Sequence, residues 1–344
     1  MPTPTLAPSR RTTIQRSSRL VLLLLVLIGG RAHPSAAQAP VAPVSGPVTL
    51  ERLLEFADTH APVLRAARST RSRADAADAA AAPRMPSNPE LTVYVGPRFG
   101  DMGTGVDVQV SLMQEIQIGG ERGRRVEAAE RFRTQTEAEI DQVRWFVHAD
   151  VHAAFHRALV ERERVRLAQR VVEFQAEVLR VVERQIAAGA AAPLALRLAQ
   201  AEVAQARQQL VAAEQVYAAS CIRLAQLSGW PVTTPPEPVG HAESPREPPA
   251  LATLQTLARE RVPSLVAGRA RVQATLARVA VADREAWPRP TVGVQYNREG
   301  SPTRAGAFDI IMGVVSVPIP SFQTNQGARA AARAEVVALC ASAI

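Results

Sequence analysis

The residues from Glu121 to Ser228 constrain this chain more than any other stretch, because two long arms carry a hydrophobic repeat of about 3.5 residues. The first arm places Val147, Val151, Ala154, Ala158, Val165, Ala168, Val172, Leu179, Val182 and Ile186 in steps of four and three. Glu161 and Gln175 are the polar residues of that register. The returning arm repeats the pattern at Leu196, Ala199, Val203, Ala206, Leu210, Ala213, Tyr217, Ser220, Leu224 and Leu227. An ordinary helix drifts off such a spacing, so its persistence over several heptads predicts a coiled coil. Between the arms, Ala187 to Pro193 is a run of small residues ending on a proline suited to the first turn of a helix. The two arms therefore fold back as one helical hairpin. At about 1.5 Å per residue the arm from Glu121 to Ile186 is roughly 100 Å long, far more than a compact domain needs.

Composition suits a rod. Aromatic residues are only 4% of the 344, which favours long helices with small seams over a bulky core. All the positive charge is arginine. The formal net charge of +8 overstates the basicity, because Arg10, Arg11, Arg16, Arg19 and Arg31 lie in an acid-free leader. That leader continues into the apolar run Leu20 to Ile28 and the small residues Ser35-Ala36-Ala37-Gln38-Ala39. Its apolar core is too short to span a bilayer and an A-x-A site follows it, which predicts a cleaved secretory signal over residues 1–37, with Ala39 as the alternative cleavage point. Without those five arginines the charge is about +3, too mild to point to nucleic acid. Cys221 and Cys340 lie far from the leader. They offer no lipid-attachment cysteine, no CxxC and no disulfide framework, and both are expected to be buried thiols. Nothing outside the leader reads as a membrane-spanning helix.

The chain repeats itself. Thr49-Leu50-Glu51-Arg52 reads as a capped helix start; the helix breaks at Ala61-Pro62, resumes Ala-rich through Ala81, and stops in the proline cluster Pro83 to Pro89. Leu91, Val93 and Val95, then Val106, Val108, Val110 and Leu112, alternate with polar or small residues, which predicts two strands with the Gly-rich residues 96–105 as their hairpin loop. About 200 residues later the order returns: Leu251, Leu254, Ala258 and Val262-Pro263, an Ala/Arg-rich helix to Asp283, the cluster Trp287-Pro288-Arg289-Pro290, and strand patterns at Val292–Tyr296 and Phe308–Pro318. This is an internal duplication. It divides the chain into a first repeat at 48–229 (helix, two strands, long hairpin), a Pro-rich connector at 230–249, and a second repeat at 250–344 that is expected to be incomplete, because it stops where the first continues into its hairpin. The pattern favours a fragment or a premature stop.

Four strands of membrane-crossing length cannot close a barrel alone, since the smallest membrane barrels have about eight. A lipid-facing sheet tolerates no open edge, because no water satisfies the free backbone groups there. Strands that enter a membrane must therefore be shared among chains; three chains supply about twelve, and two supply the minimum of about eight. A small soluble sheet packed on the helices is the plainer alternative.

Against this background, Gln114-Glu115-Ile116-Gln117-Ile118-Gly119-Gly120-Glu121-Arg122-Gly123-Arg124-Arg125 resembles the strand-to-helix signature of TolC-type outer-membrane efflux proteins. Ala188 to Glu202 resembles that family's periplasmic turn, Leu224 to Gly229 its helix terminus, and Val317-Pro318-Ile319-Pro320 through Gly327 its second strand exit. The likeness runs from Val48 to Ala338, and the Gly-Gly-Glu-Arg-Gly and Pro-Leu-x-Leu-Arg variants look closest to the CzcC-like, metal-efflux branch. It implies a mainly α fold with a minor β part: a long coiled-coil hairpin as an α-barrel segment, plus four antiparallel strands contributing to a shared trimeric outer-membrane β-barrel. It also implies a homotrimer embedded in outer-membrane lipid and extending into the periplasm, acting as a passive exit duct for metal ions or small toxic compounds. Its implied partners are a periplasmic adaptor (membrane fusion protein) and an inner-membrane RND-type transporter. Carried onto this sequence, Gly189, Pro193, Leu194, Leu196 and Arg197 would face the adaptor, although turn geometry by itself accounts for Gly189 and Pro193. The family's second hairpin, which helps close the periplasmic aperture, has no counterpart here, so the resemblance assigns no gate residues.

One further pattern stands out. His148, His152 and His156 recur every four residues beside Asp150, a spacing at which imidazoles can converge on a borderline divalent metal; a solvated or lumen-lining stripe just off the seam is the plainer reading. No HExxH, GxSxG, phosphate loop or Cys/His pair is present, which argues against an enzyme, and the sequence calls for no cofactor. Gly119-Gly120-Glu121-Arg122-Gly123 lacks the Lys-Ser/Thr of a phosphate cradle, and Glu115 and Glu121 read as helix-start partners. A periplasmic coiled-coil adaptor or binding protein is the competing function, disfavoured by the duplicated helix–strand–strand–helix unit; a non-functional truncated paralogue is another.

Overall fold

In the structure, a computed structural model that describes residues 47–100, 103–240, 247–300 and 308–342, the order helix, two strands, helix occurs twice. The first repeat runs β1 (Pro47–Val48), α1 (Leu50–His60), α2 (Pro62–Ser69), α3 (Arg71–Ala81), β2 (Glu90–Gly100), β3 (Gly103–Glu115), α4 (Glu121–Ala187) and α5 (Pro193–Ser228). The connector contributes β4 (Glu237–Pro238), and the second repeat supplies α6 (Leu251–Arg261), α7 (Pro263–Arg284), β5 (Thr291–Glu299), β6 (Phe308–Ser316) and α8 (Gln326–Ser342). The secretory signal expected over residues 1–37 lies outside the described residues.

Local chemistry explains the boundaries. The Thr49 hydroxyl accepts from Arg52 N at 3.5 Å to start α1, and Pro62 opens α2. One correction falls here: the single Ala-rich helix expected after Pro62 is two. Thr70 donates both its backbone N–H and its hydroxyl to the Ala67 carbonyl, at 3.1 and 2.6 Å, which tightens the turn and separates α2 from α3. A second concerns the Gly-rich residues 96–105, expected as a loop: most of them are strand, with Gly96 opposite Asp107 and Gly100 opposite Gly103. A third is β1, at the start of the first repeat, which pairs in parallel with β4 inside the segment read as a connector. A two-residue ladder shows no period in a sequence. Arg162 braces it from α4, donating to the Pro238 and Gly240 carbonyls at 2.6 and 3.0 Å.

The helical hairpin forms as the heptads require. Every predicted seam residue of both arms is buried or half-buried, and α4 is 67 residues long, again roughly 100 Å. Glu161, polar in an apolar register, is 2% exposed; its carboxylate is held by Arg157 at 2.7 Å and Arg164 at 3.2 Å on its own helix, so the buried charge is paired. Away from its turn the hairpin is thickened by α1 and α2. Leu53, Ala57 and Leu64 pack with Val147, Val151, Phe155 and Leu224 in the main core, where complete burial of a leucine stabilises by roughly 1.5–3 kcal/mol. Gly229 ends α5 at φ +78, and a Cβ there would collide with the His60 carbonyl, so glycine lets the returning arm close onto α1. On its other flank α4 packs against α7, and α8 packs on α7.

A charged knot ties α1 to the rod. Asp58 on α1 accepts from Arg144 at 2.8 and 2.5 Å and faces the His148 Nε2 at 2.7 Å. Burial pushes its carboxyl up, but the bonds from Arg144 and His148 outweigh burial and hold it below its ordinary value.

Candidate functional site

The strands form one antiparallel sheet in the order β2-β3-β5-β6, so the two repeats join where β3 pairs with β5. Register puts Leu91, Leu112 and Val294 in one row, and Val93, Val110 and Tyr296 in another, on one face. The opposite face carries the rows Thr92, Ser111, Gln295 and Tyr94, Gln109, Asn297. Three strands thus alternate apolar and polar, while β6 is apolar on both faces, with Ile310 and Met312 on one and Ile311 and Val315 on the other. Among the described residues β2 pairs only with β3 and β6 only with β5, so both edges are open there. Outward apolar rows are what lipid requires and polar rows are what a wet lumen tolerates. Among the described residues no helix is long and apolar enough to cross a membrane.

At the far end, the hairpin turn is built from local hydrogen bonds. Gly189 adopts φ +67, its N–H bonds the Ile186 carbonyl at 2.9 Å, and Ala190 N bonds the Gln185 carbonyl at 2.8 Å. That pair is a Schellman cap, whose left-handed residue is usually glycine. Pro193 opens α5. Leu194 is 67% exposed and Arg197 is exposed, with a 3.4 Å bond to Gln200. Leu196 differs from them: it is half-buried and belongs to the seam. Leu198, which the sequence did not single out, is 60% exposed beside Leu194; its place one residue off the seam is the signal that could have found it.

The histidine stripe divides. His148 is engaged by Asp58, whereas the His152 and His156 rings stand 4.5 Å apart at 48°. Among the described residues no group of three or more His, Cys, Asp or Glu side chains is arranged to hold a metal ion. The two cysteines also part ways, which corrects the expectation of two buried thiols: Cys221 is buried in α5 and Cys340 is exposed on α8, because the face of α8 that bears it has no neighbour among the described elements. Burial pushes the Cys221 thiol up, and burial with Cys221 alongside pushes the Tyr217 hydroxyl up to about 12.

A sheet with one mainly apolar face and a second face that is polar on three of its four strands, open at both edges and continuous with a rod roughly 100 Å long, defines a barrel-and-stem channel protomer. Comparison with known proteins agrees. The family described as "Outer membrane efflux protein" matches residues 53–230, just over half of the chain. The cobalt-zinc-cadmium resistance protein CzcC of Cupriavidus metallidurans is 30% identical over 301 residues, covering 86% of this chain and 69% of CzcC. The pyoverdine export outer membrane protein OpmQ of Pseudomonas putida is 28% identical over 207 residues, 60% of this chain and 44% of OpmQ. The fold is that of CusC, with a TM-score of 0.62 at 17% identity over 85% of this chain and 71% of CusC. The chain belongs to the outer membrane efflux protein family, and its place is the outer membrane with the helical stem extending into the periplasm.

Proposed function

We propose that three copies of this chain close one barrel of about twelve strands and that their hairpins line up beneath it as a helical duct, through which cargo leaves the cell passively. The open edges of β2 and β6, at the two ends of an amphipathic sheet, carry this reading: in lipid, unpaired edges are untenable, and a neighbouring copy satisfies both. The α4–α5 rod supports it too. Next to its inner seam, α4 exposes Val160, Leu167, Val171, Phe174 and Val181 at heptad-like spacing, a second stripe suited to another helix alongside.

Gly189, Pro193, Leu194, Leu196 and Arg197 form the docking tip for a periplasmic adaptor that links the duct to an inner-membrane RND-type transporter. Leu194 and Arg197 make the contact, while Gly189, Pro193 and Leu196 fix the turn. The cargo is a metal cation or a small toxic compound; resistance to cobalt, zinc and cadmium in the CzcC name and export of a small compound in the OpmQ name support that class. The expected result in planar bilayers is stepwise conductance from the purified protein; a preparation that inserts without conducting contradicts the duct. Leu194→Asp with Arg197→Glu should abolish export by the assembled pump while the amount of outer-membrane trimer stays unchanged.

His152 and His156 form a weak metal- or proton-responsive patch on the rod. Zinc titrated into the protein should shift their imidazole NMR signals, and unshifted signals at millimolar zinc would end that part of the reading.

A further inference from the structure

The duplication lets one junction inside the chain predict a junction between chains. Where the first repeat leaves the sheet, Glu115 to Gly120 docks under the proline cluster of the second repeat. Ile116 N donates to the Pro290 carbonyl at 2.8 Å, and Trp287 lies so close over Gly119 that a Cβ there would sit 2.8 Å from it. Arg289 gathers Glu115, Glu121 and Glu285 at 3.8, 3.9 and 4.0 Å.

The second repeat leaves the sheet with the same backbone. Gly120 and Asn325 both take a left-handed conformation, φ +75 and +56, immediately before their helices. Glu121 accepts from the N–H two residues upstream, Gly119, at 3.1 Å, and Gln326 accepts from the N–H two residues upstream, Thr324, at 2.8 Å. Yet among the described residues no proline cluster covers this second exit. Ile319 and Phe322 are 85% and 87% exposed, the two most exposed large apolar residues among those described. They border an open cavity of about 770 Å³ whose opposite wall is Trp287 to Arg289. The first repeat's own cluster, Pro83 to Pro89, is also mostly exposed, with Met85 at 52%.

We infer that the cavity beside Pro318 to Phe322 is filled by the Pro83–Pro89 cluster of a second copy of this chain, so that each copy covers its neighbour's second exit as its own second repeat covers its first. The inference rests on the trimer reading above and adds to it a specific joint. The sheet supplies an independent check on register. If β6 meets the next copy's β2 as β3 meets β5, Val315 stands opposite Val95, by analogy with Val110 opposite Tyr296. Val95 and Val315 lie on the apolar face of their strands, so the pairing preserves the in/out alternation of the barrel; a one-residue slip would invert it. The joint also differs from its internal counterpart in chemistry. Asn88 occupies the place of Arg289, as Pro89 does of Pro290, and would meet Gln326 where Arg289 meets Glu121, so the contact between copies is uncharged where the internal one is ionic.

The test is disulfide trapping in the full-length chain, in native membranes, with Cys340→Ser removing the exposed thiol and buried Cys221 retained. Met85→Cys with Phe322→Cys should give covalent dimers and trimers on mild oxidation. Val95→Cys with Val315→Cys reports separately whether the sheet edges of two copies meet. Trapping by the strand pair without trapping by Met85→Cys and Phe322→Cys overturns this joint and leaves the duct intact. A particle that contains one chain, with no trapping by either pair, overturns the joint and the trimer together.

Discussion

Two exits from one sheet end in the same cap and meet different surroundings. At the first, Gly119 has no side chain because Trp287 occupies the space, and the Glu121 side chain is fully buried. At the second, Thr324 and Gln326 hold the corresponding places and Gln326 is exposed. The backbone solution is thus inherited by both repeats, while residue size and charge follow whatever covers each exit. An internal cover of known shape permits glycine and a buried carboxylate. The second exit, bare within one chain, keeps ordinary side chains and two apolar residues in the open. The same contrast holds for the leading helices: α1 is pinned to the rod through Asp58, whereas Arg259 stands at that point of α6, which has no buried residue.

Substitutions that treat the exits alike should therefore have unlike effects, and the largest difference is expected at the Trp287 contact. Gly119→Val forces a branched side chain into the indole and should destabilise by about 2–3 kcal/mol, whereas Thr324→Val should stay within about 0.5 kcal/mol; denaturant midpoints of the two variants measure this, and equal losses would break the contrast. Next comes the cap itself. Glu121→Ala leaves the buried Gly119 N–H unsatisfied and should cost about 1–3 kcal/mol, while Gln326→Ala, at an exposed cap, should cost about 0.5–1 kcal/mol. Left-handed backbone sharpens the comparison further: Gly120→Ala should destabilise by about 1–2 kcal/mol through backbone strain, whereas Asn325→Gly relieves φ but gives up the Asn325 Nδ2 bond to the Ala282 carbonyl at 3.0 Å and should cost about 0.5–1 kcal/mol, read in the same denaturation series.

The smallest effect is one of pH. Because the Asp58 carboxyl is held below its ordinary value of 3.8, its contribution is complete above that value and is lost as pH falls through the lower, folded-state one. Acid unfolding of the wild type should thus steepen below about pH 4, and Asp58→Asn should flatten that limb. A variant that unfolds along the same acid curve would remove Asp58 from the account.

Long-range regularity was legible in the sequence because it repeats. Heptads placed the seam of α4 and α5 residue by residue, and period-two runs placed four strands. What escaped was set by single contacts. The split at Thr70 depends on one hydroxyl, the β1–β4 ladder on two residues, and the division of the histidine stripe on Asp58, which is ninety residues from His148 in the chain. Cys340 was misjudged because free thiols are usually buried, a tendency that says nothing about a helix with one uncovered face. Leu198 was passed over at the tip for the opposite reason: it lies beside a seam residue whose pattern drew attention to the inside of the hairpin.

The account depends most on the claim that one chain cannot close its sheet and three can. The full-length chain, extracted from outer membranes in mild detergent, should scatter light as a particle containing three protein chains once the detergent contribution is subtracted. A monodisperse particle containing a single chain, with its sheet intact by circular dichroism, would contradict it.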